Sequence, residues 1–302
     1  MITPEQAIDS IHERFGRHPG HRALHAKGTF CRGAFTASPE AAALTRAPHM
    51  QGTPVQVTAR VSNGGGNPNV PDYAPDVRGL AVSFHLPDGS STDIVSQTAP
   101  RFPVRSPEAF IQLVRASEVG PAGLWKLPLF LARHPGALPS LRHNLPALKP
   151  PASYATRRYF AIHAYKWISM GGAERWVRYT WLPDGEEENI SAREAKTRGR
   201  DYLQEEIGER LARGPVRFTL QLQLADDGDS PDDPMAVWPD ERPTVAAGIL
   251  ELTELAPEAE SGGELIVFDP VRVTDGIELS DDPILRFRPR AYSVSVEARM
   301  GG

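Results

Sequence analysis

The sequence predicts an α+β fold: a closed antiparallel β-barrel with helices packed around it. Three observations point there. Several short segments alternate apolar and polar residues, glycine- and proline-rich turns separate them, and stretches of helical period fall between the β-blocks rather than between single strands. So many strand edges are most economically disposed of by closing the sheet on itself.

Taken in order, "TPEQAIDSIHERFG" reads as an amphipathic helix. Thr3 is its N-cap, Pro4 suits the first helical position, and Ile8, Ile11 and Phe15 recur at helical spacing. Residues 55–97 form a β-block, in which "VQVTARV" and "GLAVSFHL" are strands and "NGGGNPN" and "PDGSS" are turns. Residues 106–132 return to helical texture, with Ser106 as cap and Pro107 behind it. The proline-bearing stretch 134–153 reads as a long surface loop. A second β-block holds "YFAIHAYKWISM" and "AERWVRYTWL". A charged amphipathic helix over 191–213 ends at Gly214. "RFTLQLQLA" and "AGILELTEL" alternate cleanly, and "GGELIVFDP" reads as a last extended piece. Repeats and flexible linkers are absent, so residues 1–302 are expected to form one domain.

Composition narrows the function classes. The chain has 302 residues, 40% hydrophobic and 24% charged, with a net charge of −5. Acidic and basic residues look dispersed, which favours neither nucleic acid nor a membrane surface as partner. Cys31, the sole cysteine, cannot form an internal disulfide, and the N-terminus has the texture of neither a signal peptide nor a membrane span. A cytoplasmic protein is expected. The acidic stretches "DGEEEN" and "ADDGDSPDD" read as solvated loops, Asp76 and Asp93 as structural carboxylates, and Cys31 as a small buried apolar residue.

Two segments invite chemistry. "HRALHAKG" puts His21 and His25 one helical turn apart, where they could share a metal. Yet Arg22 stands where a zinc protease helix carries its glutamate, and a third ligand is missing nearby. Lys27 in the same octapeptide reads as a surface charge. At the other end, "LRFRPRAYSVSVEARMGG" is locally ambiguous. Tyr292, Val294 and Val296 alternate as in a strand, while Pro289 suits the start of a helix. On a helix, Arg288, Tyr292 and Arg299 fall within about 40° of one another. A tyrosine between two guanidiniums is either a core residue with a satisfied hydroxyl or a phenolate. Ionising it at neutral pH takes about 4 kcal/mol, which an arginine and a trivalent iron could supply together.

Several separated motifs then resemble one family in the right order. "LHAKGTFCRGAF", "VTARVSN", "PDVRGLAVSFHLPDGSSTDIV", "IHAYKWISMGGAERWVRYTWLPDGEEENIS", "VWPDERPTVAAGILELTELAP" and "DGIELSDDPILRFRPRAY" resemble the haem catalases, specifically the short catalase-related peroxidases. The likeness runs from about residue 15 to the C-terminus. It implies haem b as cofactor, with Tyr292 the axial ligand of its iron and Arg288 the group that keeps Tyr292 ionised. It implies that His25 is the distal acid–base residue and Ser62 its hydrogen-bond partner. Arg22, Arg60 and Arg299 match the arginines on the haem propionates, and Phe102 and Phe110 match aromatics over the distal face. His21 becomes incidental.

The departures carry meaning too. Gln97 falls where the family has a distal asparagine, one methylene further from its backbone. Ser293, Val294 and Ser295 replace the usual residues after the proximal tyrosine. The chain stops ten residues after Tyr292, so the family's C-terminal helical region and long N-terminal arm are expected to be missing. That leaves a monomer or homodimer possible and the haem more open to small organic reductants. The expectation is therefore a peroxidase that reduces hydrogen peroxide or small organic hydroperoxides, with catalase activity low or lost. True catalase activity is one alternative. Another is rearrangement of fatty-acid hydroperoxides, although Leu24 replaces the threonine which that branch carries before its histidine. A ligand-carrying barrel without enzymatic activity is the third.

Overall fold

A computed structural model describes residues 2–117, 121–257 and 265–300, with Pro121 and Ala122 by backbone alone. Eight strands close the predicted barrel, and each neighbouring pair is antiparallel. They are β1 (Gly28–Ala37), β2 (Val55–Asn63), β3 (Arg78–His85), β4 (Ser91–Gln97), β5 (Tyr159–Ile168), β6 (Glu174–Pro183), β7 (Val216–Leu224) and β8 (Thr244–Leu255). Their order is β4-β3-β2-β1-β8-β7-β6-β5, and β4 returns to β5 through one rung, Gln97 opposite Phe160. A short β9 (Ile277–Leu279) adds to β5. Two four-stranded meanders are thus joined at β1–β8 and at β4–β5.

Strand alternation decides what lies inside. Val57, Ala59 and Val61 of β2, Leu80, Val82 and Phe84 of β3, and Phe218, Leu220 and Leu222 of β7 belong to one buried cluster. Phe35 meets Phe84 and Trp181 edge-on, with ring centroids 5.2 and 6.1 Å apart. Trp167 and Trp181 are fully buried, and the Trp167 indole donates to the Tyr179 hydroxyl at 2.7 Å. These side chains fill the barrel interior as one apolar cluster.

Helices close over the outside. α1 (Pro4–Phe15) carries the expected Thr3 cap, here a capping box with Gln6, and buries Ile8 and Ile11. α2 (Pro39–Leu44) follows β1. α3 (Pro107–Ala116), α4 (Pro121–Arg133) and α5 (Ala137–Asn144) form the β4–β5 connection. The expected loop over 134–153 is therefore wrong in part, because Ala137 and Ser140 are buried beneath α5. The helix expected over 191–213 is interrupted at Gly199 into α6 (Ala192–Arg198) and α7 (Tyr202–Arg213). α8 (Pro283–Met300) resolves the ambiguous C-terminal segment as helix, with Pro289 in its interior rather than at its start. The last extended piece does not form, since residues 265–269 are irregular and 262–264 lie outside the described residues.

Lys27 is a further correction. Its ammonium lies 2.6 Å from both Asp72, which is fully buried, and Asp201. It ties the chain just past His25 to the 70–72 loop and to the start of α7. Asp76 and Asp93 behave as expected: Asp76 accepts the Gly65 amide at 2.9 Å and Asp93 accepts the Asp269 amide at 2.8 Å.

Candidate active site

The outer face of the first meander carries two rungs that matter. Gly28, Ser62, Gly79, Gln97 and Phe160 stand opposite one another in sequence of strands. Two residues along each strand, Phe30, Arg60, Ala81 and Val95 form the next rung. Directly opposed residues of antiparallel strands share a face, so Ser62 and Gln97 project to the same side. Between them Gly79 leaves a gap. A Cβ there would lie 2.7 Å from both His25 Nδ1 and Ser62 Oγ. The missing side chain is what lets the imidazole rest on the sheet.

His25 reaches that gap from the loop before β1. The helical reading of "HRALHAKG" fails here: the segment is a series of bends, and His21 is exposed. Among the described residues, no group of three or more His, Cys, Asp or Glu is placed to hold a metal ion. His25 has φ 55°, the sole described non-glycine residue in the left-handed region. Such a conformation costs about 1 kcal/mol and must be held by its surroundings. The His25 and Ala26 amides donate to the Gly64 and Gly65 carbonyls, both at 3.0 Å. Arg60 Nη1 donates to the His25 carbonyl at 2.9 Å. Gly66 allows the close approach, because a Cβ there would lie 2.2 Å from the Ala23 carbonyl.

The ring is then fixed by Ser62, whose Oγ lies 3.0 Å from His25 Nδ1. Burial, reinforced by the charges of Arg60, Arg288 and Arg22, pushes the imidazole down to about 3. His25 is therefore neutral across the physiological range. Arg22 and Arg60 flank the Phe30 ring at 5.4 and 5.6 Å, and Arg22 also donates to the Ile266 carbonyl at 2.8 Å.

α8 brings the second half. Arg288, Tyr292, Ser295 and Arg299 lie along one helical face, and Ser295 Oγ accepts the Ala23 amide at 3.3 Å. This contact sets that face against the His25 loop. Arg288 Nε donates to the Tyr292 hydroxyl at 2.8 Å. Arg288 Nη1 lies 3.0 Å from His163 Nε2, and His163 Nδ1 lies 2.6 Å from Asp282 Oδ2. A guanidinium only donates, so His163 Nε2 accepts and the ring proton sits on Nδ1, facing Asp282. The other Asp282 oxygen accepts the Ile284 amide at 2.8 Å and caps α8. Burial lowers the His163 imidazole against the opposing pull of Asp282. Burial raises the Tyr292 phenol, and the Arg288 charge and hydrogen bond act against that rise.

Phe102 and Phe110 pack with ring centroids 5.4 Å apart, and Phe110 also joins the cluster of Ala23, Ile111 and Phe287. Arg299 is buried in the last turn of α8. His25, Ser62 and Arg60 are thus one hydrogen-bonded group, with Arg22 across the Phe30 ring from Arg60, and Tyr292 and Arg288 are another, set against it by the Ser295–Ala23 contact. Gln97 lies on the Ser62 rung. His163, Asp282 and Gly79 belong to this candidate site and were missed by the sequence reading. Asp282 carried a signal, an aspartate followed by proline at a helix start. His163 carried none, because it sits in a bulge where β5 inserts Ile162 and His163 between the paired residues Ala161 and Ala164.

A family model described as Catalase matches residues 5–302. A catalase-related peroxidase of Mycolicibacterium paratuberculosis is 48% identical, over 99% of this chain and 96% of that one. A catalase-related peroxidase of Synechococcus elongatus is 34% identical, over 100% of this chain and 90% of that one. A solved fungal catalase superposes with a TM-score of 0.83 at 23% identity, covering 98% of this chain and 63% of that one. The chain therefore spans about three-fifths of the length of that catalase.

Proposed function

Because the chain belongs to the catalase family, we propose that it is a haem-dependent peroxidase that reduces hydrogen peroxide or small organic hydroperoxides with an organic electron donor. The observation that carries this reading is the meeting of two pairs from opposite ends of the sequence: His25 with Ser62, and Tyr292 with Arg288. The two relatives matched end to end are named catalase-related peroxidases, which supports the peroxidase reading over true catalase activity.

The residues present suit haem. A tyrosine oxygen steadied by an arginine is a donor for trivalent iron. Arg22, Arg60 and Arg299 offer guanidiniums of the kind that pair with two propionates. Phe102 and Phe110 supply an apolar wall, and Gly79 keeps the sheet clear beneath His25. Bound there, haem would supply redox-active iron for the two-electron reduction of peroxide.

The protein's own residues handle protons. In the tautomer that donates Nδ1–H to Ser62 Oγ, His25 presents a lone pair at Nε2. That atom takes the proton from one peroxide oxygen and returns it to the other, which leaves as water or an alcohol rather than as an anion. The donor supplies two electrons and the two protons that complete the balance. A neutral imidazole is required at the start, and burial provides it. Arg288, held by His163 and Asp282, keeps a positive charge against Tyr292 and so favours its ionised form.

The test is a visible absorption spectrum of protein expressed with haem supplied. The reading expects a Soret band with the charge-transfer features of ferric tyrosinate, altered in Tyr292→Phe, and dye oxidation exceeding oxygen release in steady-state assays. A protein that never takes up haem, or that releases oxygen much faster than it oxidises donors, overturns it.

A further inference from the structure

The β4–β5 connection carries a feature unrelated to the active-site chemistry. Between residues 119 and 173 the sequence has no aspartate or glutamate, although the whole chain has 38. The same stretch holds seven lysines and arginines. Lys166 and Arg158 pair with acids from outside the stretch, but Lys126, Arg133, Arg142 and Lys149 fall on α4, α5 or the turn after them, a segment with no acid of its own in a chain whose net charge is −5.

α4 is apolar on both faces. Inward, Phe130, Leu127 and Leu131 join the cluster that holds Phe102 and Phe110. Outward, Leu124 is 80% exposed, Trp125 59% and Leu129 41%. With Pro128 these positions form one stripe along the helix. Leu138 on α5 and Leu145 just past it extend the surface, so five of the nine exposed large hydrophobics among the described residues lie here. The exposed Arg133, Arg142 and Lys149 border it. A cleft beside α5 adds Arg101, while Arg158 on its wall pairs with Glu187 and the buried Arg157 bonds Asn189. A helix apolar all round normally has a cover.

We propose that α4, α5 and the turn after them dock onto an anionic lipid bilayer. Leu124, Trp125 and Leu129 enter the boundary between headgroups and acyl chains, while Arg133, Arg142 and Lys149 meet the headgroup phosphates. Among the described residues, no helix is long and apolar enough to cross a membrane. The element therefore lies in the plane of the interface, where apolar burial and charge attraction add. A second copy of the chain suits the surface less well. A two-fold interface sets a patch against itself, and this one would bring Arg133, Arg142 and Lys149 close to their own copies. Anionic lipid offers the opposite charge and an apolar phase at once.

The full chain is tested by co-sedimentation with vesicles of phosphatidylcholine and phosphatidylglycerol, against vesicles of phosphatidylcholine alone. Binding is expected to the anionic vesicles and to weaken with salt. The double substitution Leu124→Asp, Trp125→Asp should lower partitioning about tenfold or more, with donor oxidation in solution unchanged. Arg133→Glu with Arg142→Glu leaves the apolar stripe intact and should remove the preference for anionic lipid, so a folding defect in the first variant does not decide the matter. Failure to pellet with anionic vesicles overturns the proposal, as does equal pelleting of both variants. Light scattering that shows a dimer lost in the Leu124 and Trp125 variant overturns it in favour of a second copy, and capture by an acidic protein without vesicle binding overturns it in favour of a protein partner.

Discussion

Arg288 and Tyr292, one turn apart on α8, meet through a 2.8 Å hydrogen bond from the guanidinium Nε to the phenolic oxygen. The same guanidinium reaches His163 through Nη1, so a single side chain spans two acceptors that a lysine ammonium could not reach together.

Arg288→Lys keeps the charge and loses the fork. Donor oxidation should fall about 10- to 100-fold, the loss expected for one charge-assisted hydrogen bond in the reacting state. The visible spectrum should shift with it, while the thermal midpoint moves little. Steady-state kinetics and absorption spectra on the same preparation check both.

Gly79→Ala places a methyl group 2.7 Å from His25 Nδ1 and Ser62 Oγ. The imidazole must move, and a displacement near 1 Å costs on the order of a hundredfold in rate. Stability should drop by about 1–3 kcal/mol. Thermal unfolding and peroxide-dependent dye oxidation report the two effects separately.

Gln97→Asn shortens the amide side chain on the Ser62 rung. If its amide serves the peroxide, this substitution changes the ratio of oxygen release to dye oxidation, and the expected direction is upward. An unchanged ratio, measured with an oxygen electrode and a dye assay side by side, means that Gln97 acts only in closing the barrel.

His49 is buried against Phe84, with ring centroids 4.9 Å apart, and burial pushes its imidazole down from 6.5 to about 3. The unfolded chain takes up this proton below pH 6.5 and the folded chain does not. Stability from this group is thus lost as pH falls from 6.5 towards 3, at up to about 1.4 kcal/mol per pH unit. His49→Phe, which replaces an imidazole whose Nδ1 has no hydrogen-bond partner among the described residues, should flatten the dependence. Urea midpoints at pH 7 and pH 4.5 for both proteins provide the comparison.

Much of the barrel was legible, because β2, β7 and β8 alternate and glycine or proline turns bound the first β-block. β1 was not, since Gly28 and Gly33 break its pattern where another backbone comes close. The C-terminal segment stayed ambiguous because its alternation and its i, i+4 spacing coexist in the same residues, and only packing of α8 on α1 and the His25 loop decides. His25 and Tyr292 were singled out as site residues through resemblance to a family. Their supports were harder to see. His163 is turned toward Arg288 by a bulge, and Lys27 by two aspartates far along the chain, and neither has a local periodicity to betray it.

The barrel seam between β4 and β5 rests on the Gln97–Phe160 rung alone, where other neighbouring strands of the barrel share seven or more paired positions. Such a latch breathes before the rest of the wall does, so its amides should exchange fastest among the barrel strands. It also lies on the rung that carries Ser62. Anything that grips the face bearing Ser62 and Gln97 would therefore hold the latch shut, and its binding is repaid as mechanical integrity of the whole barrel.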